Sequence, residues 1–326
     1  LTTTQAKYLD YTVTYDSGLT LAKNQILKSG KSEYLRVKVA FKKDVTAADL
    51  PTADSTLNLN FSLSYQQAES NAVTLAHPTC KRATVLHTEV CNQTSNYCVG
   101  SGYKTGDTIT YGNLGTTGVL TSGDAFDCDV NGDGVYDPTT ERFYYVSGKD
   151  GDNNSDYLAL IYYNNVSDGA PNNTTKYAYN TDSSKYLGPG TAIKQLPTTK
   201  QWKNVKLSNT TRNITDEKGT VRVNNFSYSG YAARLLTFSE TNNACGKVGT
   251  WKGGELDGCQ YLMENTVYAN SSLKYGYWLE NPYSSSASVS WIVDGNNRFV
   301  NSRSAGYASD NGVRPAIEVL KSKVSY

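Results

Sequence analysis

Two stretches of this chain alternate apolar and polar residues. Tyr34-Leu-Arg-Val-Lys-Val-Ala-Phe41 puts Leu35, Val37, Val39 and Phe41 on one side, and Leu57-Asn-Leu-Asn-Phe-Ser-Leu-Ser-Tyr65 repeats the pattern. A period of two belongs to a strand with one dry and one wet face, not to a helix. Tyr8 to Tyr15, rich in Tyr, Thr and Val, reads as a further strand, and Asp49-Leu-Pro-Thr52 as a turn. Three strands are too few for a closed sandwich, which takes about seven. The expectation for residues 1–71 is a partial, Ig-like β-sandwich, completed by strands upstream of Leu1 or by another chain. The polar run Gln66-Gln-Ala-Glu-Ser-Asn71 marks its end.

Composition narrows the rest. The 326 residues carry a net charge of +1, from 31 basic and 30 acidic side chains. That balance gives no electrostatic footprint for nucleic acid. The 26 tyrosines outnumber Phe, Trp and Met together, and Asn, Ser, Thr and Gly abound. Such a chain favours β-structure with polar loops over helical bundles. Two histidines and one methionine argue against a His-based metal centre of three or more ligands and against a Met-rich groove. There is no run of 18 apolar residues, so no direct membrane insertion is expected of this segment.

The six cysteines, Cys80, Cys91, Cys98, Cys128, Cys245 and Cys259, contain no CxxC pair. An even number in a polar, β-rich chain reads as three disulfides in an oxidising compartment. Cys245 and Cys259 bracket a Gly-rich loop that one bridge closes. Cys91 and Cys98 bracket a hairpin-length segment, which leaves Cys80 with Cys128; these last two pairings are exchangeable on the sequence alone. A chain that starts at Leu1 without a signal peptide is read as a mature or trimmed secreted protein.

Residues 72–326 read as one larger α+β domain. Strands are expected at Ala83–Glu89, Thr108–Tyr111, Arg142–Ser147 and Tyr157–Tyr163. Helix signals fall at Leu196–Trp202 and at Tyr231–Glu240, the latter with Thr237 or Ser239 as a cap. Asp129-Val-Asn-Gly-Asp-Gly-Val-Tyr-Asp137 matches the first nine positions of a calcium loop. Asp129, Asn131, Asp133, the Val135 carbonyl and Asp137 would be ligands, with Gly134 at the sharp turn. The twelfth position is Thr140 and Glu141 follows one later, so the bidentate carboxylate is missing or shifted; Asp127 is a candidate substitute. The reading is a structural Ca2+ site, and the plain alternative is an Asp/Asn-rich turn.

The C-terminal third is the most patterned. Gly276-Tyr-Trp-Leu-Glu-Asn-Pro282 and Gly312-Val-Arg-Pro-Ala-Ile-Glu-Val319 flank a segment, 283–311, of small, polar and aromatic residues with Trp291, Val293 and Val300 as apolar anchors. Together with Ala233-Arg-Leu-Leu-Thr237, these flanks resemble the C-type-lectin fold of the formylglycine-generating-enzyme type. More narrowly they resemble variable proteins of diversity-generating retroelements, found among secreted and surface proteins of bacteria, over roughly residues 75–326. In that family a reverse transcriptase mutates template adenines, and AAC-type codons then never yield Lys, Glu or Trp. Segment 283–311 has no Lys or Glu, and its single Trp291 would be a fixed scaffold position.

The resemblance implies diversified, ligand-binding positions at Tyr283, Ser285, Ser286, Ser288, Ser290, Ile292, Asp294, Asn296, Phe299, Ser302, Arg303, Ser304, Gly306, Tyr307, Asp310 and Asn311. Tyr, Ser, Gly, Asn and Arg are the residues of adaptable binding surfaces, and Tyr283, Phe299, Arg303 and Tyr307 would be the anchors of contact. The implied protein is an extracellular receptor or adhesin of the bacterial cell surface. It takes a protein or glycan ligand by surface complementarity, without catalysis. The alternative is a filament or pilus-like subunit that meets neighbouring subunits through its N-terminal β-domain. An oxidase of the formylglycine-generating branch would need a reactive cysteine pair near the C-terminal core, and no cysteine lies in 260–326. His77 and His87 sit near the domain start, and a lone strand histidine reads as hydrogen-bonded structure. No nucleophile elbow, P-loop or dinucleotide fingerprint is present.

Overall fold

The computed structural model describes residues 4–15, 34–54, 56, 78–91, 104–182, 184–245, 259–265, 276–294, 299–306 and 311–326, without the side chains of Lys185 and Phe299. The expected strand 57–65, the linker 66–71, His77, Cys98, Asn296, Tyr307 and Asp310 lie outside the described residues. Chain contacts divide the molecule into two units, Leu1–Ala76 and His77–Tyr326. It is β-rich, with one α-helix among the described residues.

In the first unit, β1 (Leu9–Tyr15) pairs antiparallel with β2 (Leu35–Phe41), Leu9 facing Phe41 and Tyr15 facing Leu35. This register collects Leu9, Tyr11, Val13 and Tyr15 with Leu35, Val37, Val39 and Phe41 on one face, the period of two acting on both strands.

The second unit is built on a six-stranded sheet. Its strands are β3 (Cys80–Arg82), β6 (Ala125–Cys128), β7 (Arg142–Gly148), β8 (Tyr157–Tyr162), β16 (Ala316–Leu320) and β17 (Val324–Ser325), in the order β16-β8-β7-β6-β3-β17. All neighbours are antiparallel except β17 with β3. Between them in sequence come the hairpin of β4 (His87–Val90) and β5 (Thr108–Tyr111), and the two-residue strands β9 (Val166–Ser167) and β10 (Ala170–Pro171). The hairpin of β11 (Thr211–Thr215) and β12 (Val221–Ser227) and helix α1 (Phe238–Cys245) follow. A three-stranded sheet of β13 (Gly276–Pro282), β14 (Val289–Asp294) and β15 (Phe299–Ser304) completes the unit.

Both larger sheets are covered on both faces. Along β7, Phe143 and Tyr145 enter one apolar cluster and Tyr144 and Val146 the other. In the three-stranded sheet, Trp278 and Ile292 join the first cluster while Tyr277, Leu279, Trp291, Val293 and Val300 join the second. A strand buried on both sides has no wet face, which is why β7, β8 and β14 read as short apolar runs rather than alternations.

Two helix expectations change. Leu196–Trp202 is a non-helical turn, although Trp202 is buried as its apolar character requires. The apolar run Ala232–Leu236 is extended: Arg234 N–H donates to Ala316 O at 2.9 Å and Ala316 N–H donates back at 2.8 Å, so the run covers the edge strand β16. The helix begins only after it, at a capping box. Glu240 N–H donates to Thr237 Oγ1 at 3.1 Å, and Thr237 N–H to Glu240 Oε2 at 2.8 Å. Likewise, of the strand expected across Ala83–Glu89, only His87–Glu89 lie in a strand, β4; residues 83–86 link it to β3.

The disulfides Cys80–Cys128 and Cys245–Cys259 are formed, and Cys80 faces Cys128 across β3 and β6. Cys91 is disulfide-bonded too. No cysteine among the described residues is free.

The motifs that carried the resemblance are internal. Arg234 is wholly buried: Nε donates to Glu318 Oε1 at 2.7 Å, Nη1 to Glu240 Oε2 at 2.9 Å, and Nη2 pairs with Glu240 Oε1. Burial opposes its charge, but the carboxylates of Glu240 and Glu318 hold the guanidinium well above its ordinary range. Arg314, also wholly buried, donates to the carbonyls of Tyr162, Tyr261, Leu262 and Glu264. Trp278 Nε1 donates to Tyr177 O at 2.7 Å.

Removing one partner of such a knot strands the others. Arg234→Ala leaves Glu240 and Glu318 buried without their cation. The expected loss is about 3–5 kcal/mol in equilibrium urea unfolding. A loss below about 1 kcal/mol would make the knot peripheral to stability.

Candidate functional site

The segment between the two C-terminal motifs is a turn, 283–288, followed by the β14–β15 hairpin. The turn is pinned from outside its own sheet. Glu217, at the tip of the β11–β12 hairpin, accepts from Ser284 N–H at 2.9 Å, from Ser284 Oγ, and from Trp291 Nε1 at 3.0 Å. Tyr283 stands edge-on to Trp291 with ring centroids 5.2 Å apart, and Phe238 of α1 lies against the same indole at 4.8 Å. Tyr283 N–H closes the turn on Val289 O at 3.1 Å. A fixed indole beneath thus carries a short polar turn above.

Burial sorts the sixteen implied contact positions. Ser285, Ser288 and Ser304 are exposed, and Tyr283, Ser286, Ser302, Arg303 and Gly306 are partly so. Ser290, Ile292, Asp294 and Asn311 are wholly buried and contribute no contact surface. Ile292 faces the first apolar cluster, because the sheet that carries it is covered on the side expected to be open. Asp294 lies inside, accepting from Asn301 Nδ2 at 3.2 Å with Arg303 Nη2 3.5 Å away. Phe299 lies on β15 with its side chain undescribed, and Asn296, Tyr307 and Asp310 are outside the described residues.

The acidic loop forms a second candidate. Asp129 Oδ1 accepts from Gly132 N–H at 2.7 Å and Asp133 N–H at 3.0 Å, and its Oδ2 from Gly134 N–H at 3.2 Å. Asn131 Oδ1 accepts from Asp133 N–H at 2.8 Å. Gly132 and Gly134, at φ +73° and +85°, take the left-handed conformation this curl demands. Carboxylate oxygens of Asp129, Asp133 and Glu141 come within 4.8 Å of one another, the arrangement in which a hard cation is held by oxygen. Glu141, one residue beyond the twelfth position, is thus the third carboxylate of this cluster. It is buried, which pushes its carboxyl up, while backbone N–H groups of Asp137, Asn131 and Val130 oppose the rise. Asp137 is not in this cluster: it accepts from the hydroxyls of Thr139 and Thr140, which hold its carboxyl below the ordinary range. Asp127 Oδ1 accepts from Arg142 Nε at 2.7 Å, and Asp127 is not among the three clustered carboxylates. The bridge of Cys128 to Cys80 and the bond from Asn204 Nδ2 to Asp129 O at 2.6 Å fix the start of the loop.

His87, on β4, pairs through Nδ1 with the buried carboxylate of Glu264 and stacks on Tyr111 at 5.6 Å. That carboxylate raises the imidazolium above its ordinary value of 6.5, against the opposing effect of burial.

No protein-family model matches the chain, and no curated protein or solved structure matches it.

Two outcomes follow from these geometries. The pair at His87 gives its full stabilisation below pH 6.5 and loses it as pH rises through the raised folded value. The melting-temperature difference between wild type and His87→Gln is therefore largest in acid and shrinks above neutrality; a difference that grows with pH would contradict this. Calcium in about a hundredfold excess over its dissociation constant should add about 2.7 kcal/mol of stability, and Glu141→Gln should remove most of that gain.

Proposed function

We infer that the protein is a ligand-binding receptor or adhesin of the bacterial cell surface. In this reading its larger unit is a C-type-lectin-like domain, and binding proceeds by surface complementarity without chemistry. The contact surface is the turn 283–288 with the outer end of β15, at Ser302, Arg303 and Ser304. The ligand is a protein or glycan, and the acidic loop holds Ca2+ as a structural ion. The disulfides suit an extracellular protein. Among the described residues, no helix is long and apolar enough to cross a membrane.

One observation carries the reading. Ser285, Ser286 and Ser288 project from a turn whose base is held by Glu217 and Trp291. Exposed side chains on a pinned turn can be exchanged without disturbing the core, which is what a diversified binding site requires. The buried positions narrow the diversified set: Ser290, Ile292, Asp294 and Asn311 belong to the frame on this reading.

A second reading has its own support. Among the described residues of the first unit, Leu35, Val37, Val39 and Phe41 remain 38–68% exposed along one face of a two-stranded ribbon. Such a ribbon is marginal in water by itself. A strand or face from a neighbouring subunit would complete it, giving a filament subunit that displays the larger unit as decoration.

The test is a library randomised at Ser285, Ser286, Ser288, Ser302 and Ser304, selected against protein and glycan panels. Members should stay folded, within about 0.5 kcal/mol of the parent, and yield distinct binders. Ile292→Asp should instead cost about 3 kcal/mol or more. A library that unfolds at the serine positions, or yields no binder to any target, would overturn the receptor reading. Assembly of the intact chain into polymers that residues 77–326 alone do not form would favour the filament.

A further inference from the structure

On the larger unit, a cleft of about 550 Å3 opens between the residues after β7, the β11–β12 hairpin, the end of β13 and the start of α1. The volume falls in the range of small-ligand sites. Every residue lining it is polar or charged. An apolar ligand would gain nothing there, whereas hydroxyl groups would meet Asn213, Asn225 and Ser239.

The cleft's own charges belong to a larger, buried ion-pair set that is one positive charge short. Asp150, Glu240, Glu280 and Glu318 form a single coupled set with Arg212, Arg234 and Lys149, four carboxylates against three cations. The shortfall is localised by geometry. Glu280 is 2% exposed and lines the cleft, and its Oε1 makes no hydrogen bond. The nearest cation, Arg212 Nε, stands 3.0 Å away but out of line, and that Nε–H is also unsatisfied. Asp150, also on the lining, accepts through Oδ1 from Arg212 Nη2, and its Oδ2 has Lys149 Nζ at 3.7 Å, beyond hydrogen-bond reach. The Asp150 side chain is 45% exposed, so this carboxylate is open to a ligand.

We propose that this cleft is a second binding site, for a small hydroxylated ligand that carries a primary ammonium group. The ammonium donates to Asp150 and adds the positive charge that the four carboxylates of the set lack. The ligand's hydroxyls bond to the amide and hydroxyl side chains of the walls. A metal ion fits less well: among the described residues, the carboxylates close enough to share one are those of Asp129, Asp133 and Glu141. The site is independent of the receptor reading, since it shares no residue with the 283–288 turn.

The experiment is an NMR titration of the intact chain with glucosamine and, separately, glucose, which differ by the ammonium group. Glucosamine should shift the amides of Asp150, Asn213, Asn225 and Ser239. It should bind about tenfold or more tightly than glucose, the worth of one charge-assisted hydrogen bond. Asp150→Asn, at an exposed position, should reduce glucosamine to the affinity of glucose. Glu280→Gln should weaken it while leaving the melting temperature unchanged or higher, because one carboxylate of a set with a surplus of them has been removed. Equal binding of the two sugars, no shift with glucosamine, or wild-type affinity in either variant would overturn the proposal.

Discussion

The guanidinium of Arg234 decides how the larger unit is put together. It sits in an extended apolar run and is reached by Glu240 from the first turn of α1 and by Glu318 from β16. Three separate pieces of chain must arrive at one buried cation, or a charge is left in the interior without compensation. The net energy of such a knot is small, since desolvation consumes most of the attraction. Its geometric demand is large. It fixes the Ala232–Leu236 run along the edge of the six-stranded sheet, sets where the helix starts, and positions Arg212 and Glu280 beside it. Glu318 shows the balance: burial drives its carboxyl up, and Arg234 with Ser208 brings it below the ordinary range. Glu280 keeps the opposite sign, raised by burial that Arg212 and Arg234 do not fully offset.

Arg314 performs a second, electrically different task. Its partners are backbone carbonyls, so it satisfies acceptors at the end of β8 and in residues 261–264 that no strand reaches. Trp278 does the same for Tyr177. With these links inside, the turn at 283–288 is held by its base alone. Stability and surface are thereby separated: the frame rests on residues buried to zero exposure, while the serines above it bear little of the packing.

What the sequence made legible followed from local rules. β5, β7 and β8 lie where expected because short apolar or alternating runs bounded by turns leave few alternatives. The Cys245–Cys259 bridge was visible in the loop it closes, and Thr237 in its capping spacing to Glu240. What failed was non-local. Ala232–Leu236 resembles a helix by composition, but pairing with Ala316 makes it extended, and no window around it contains that strand. The resemblance made Ile292 a contact position, yet the first apolar cluster covers that face of the three-stranded sheet and buries it. The charged residues inside apolar strands, Arg234, Glu280 and Glu318, were the available signal for an ionic knot. Their partners, 84 positions apart for Arg234 and Glu318, were not. Asp129 and Asp133 of the acidic loop do come together, and the third carboxylate beside them, Glu141, lies one place beyond the standard spacing.

The central claim is that surface and frame are separated within 283–311. It is tested most directly by sequencing this gene's 3′ end across related strains, together with neighbouring DNA. The account predicts a nearby near-copy of the segment and amino-acid variation concentrated at Ser285, Ser286, Ser288, Ser302, Arg303 and Ser304, with Ser290, Ile292, Asp294 and Trp291 constant. An invariant segment, or variation falling equally on the buried positions, would contradict it.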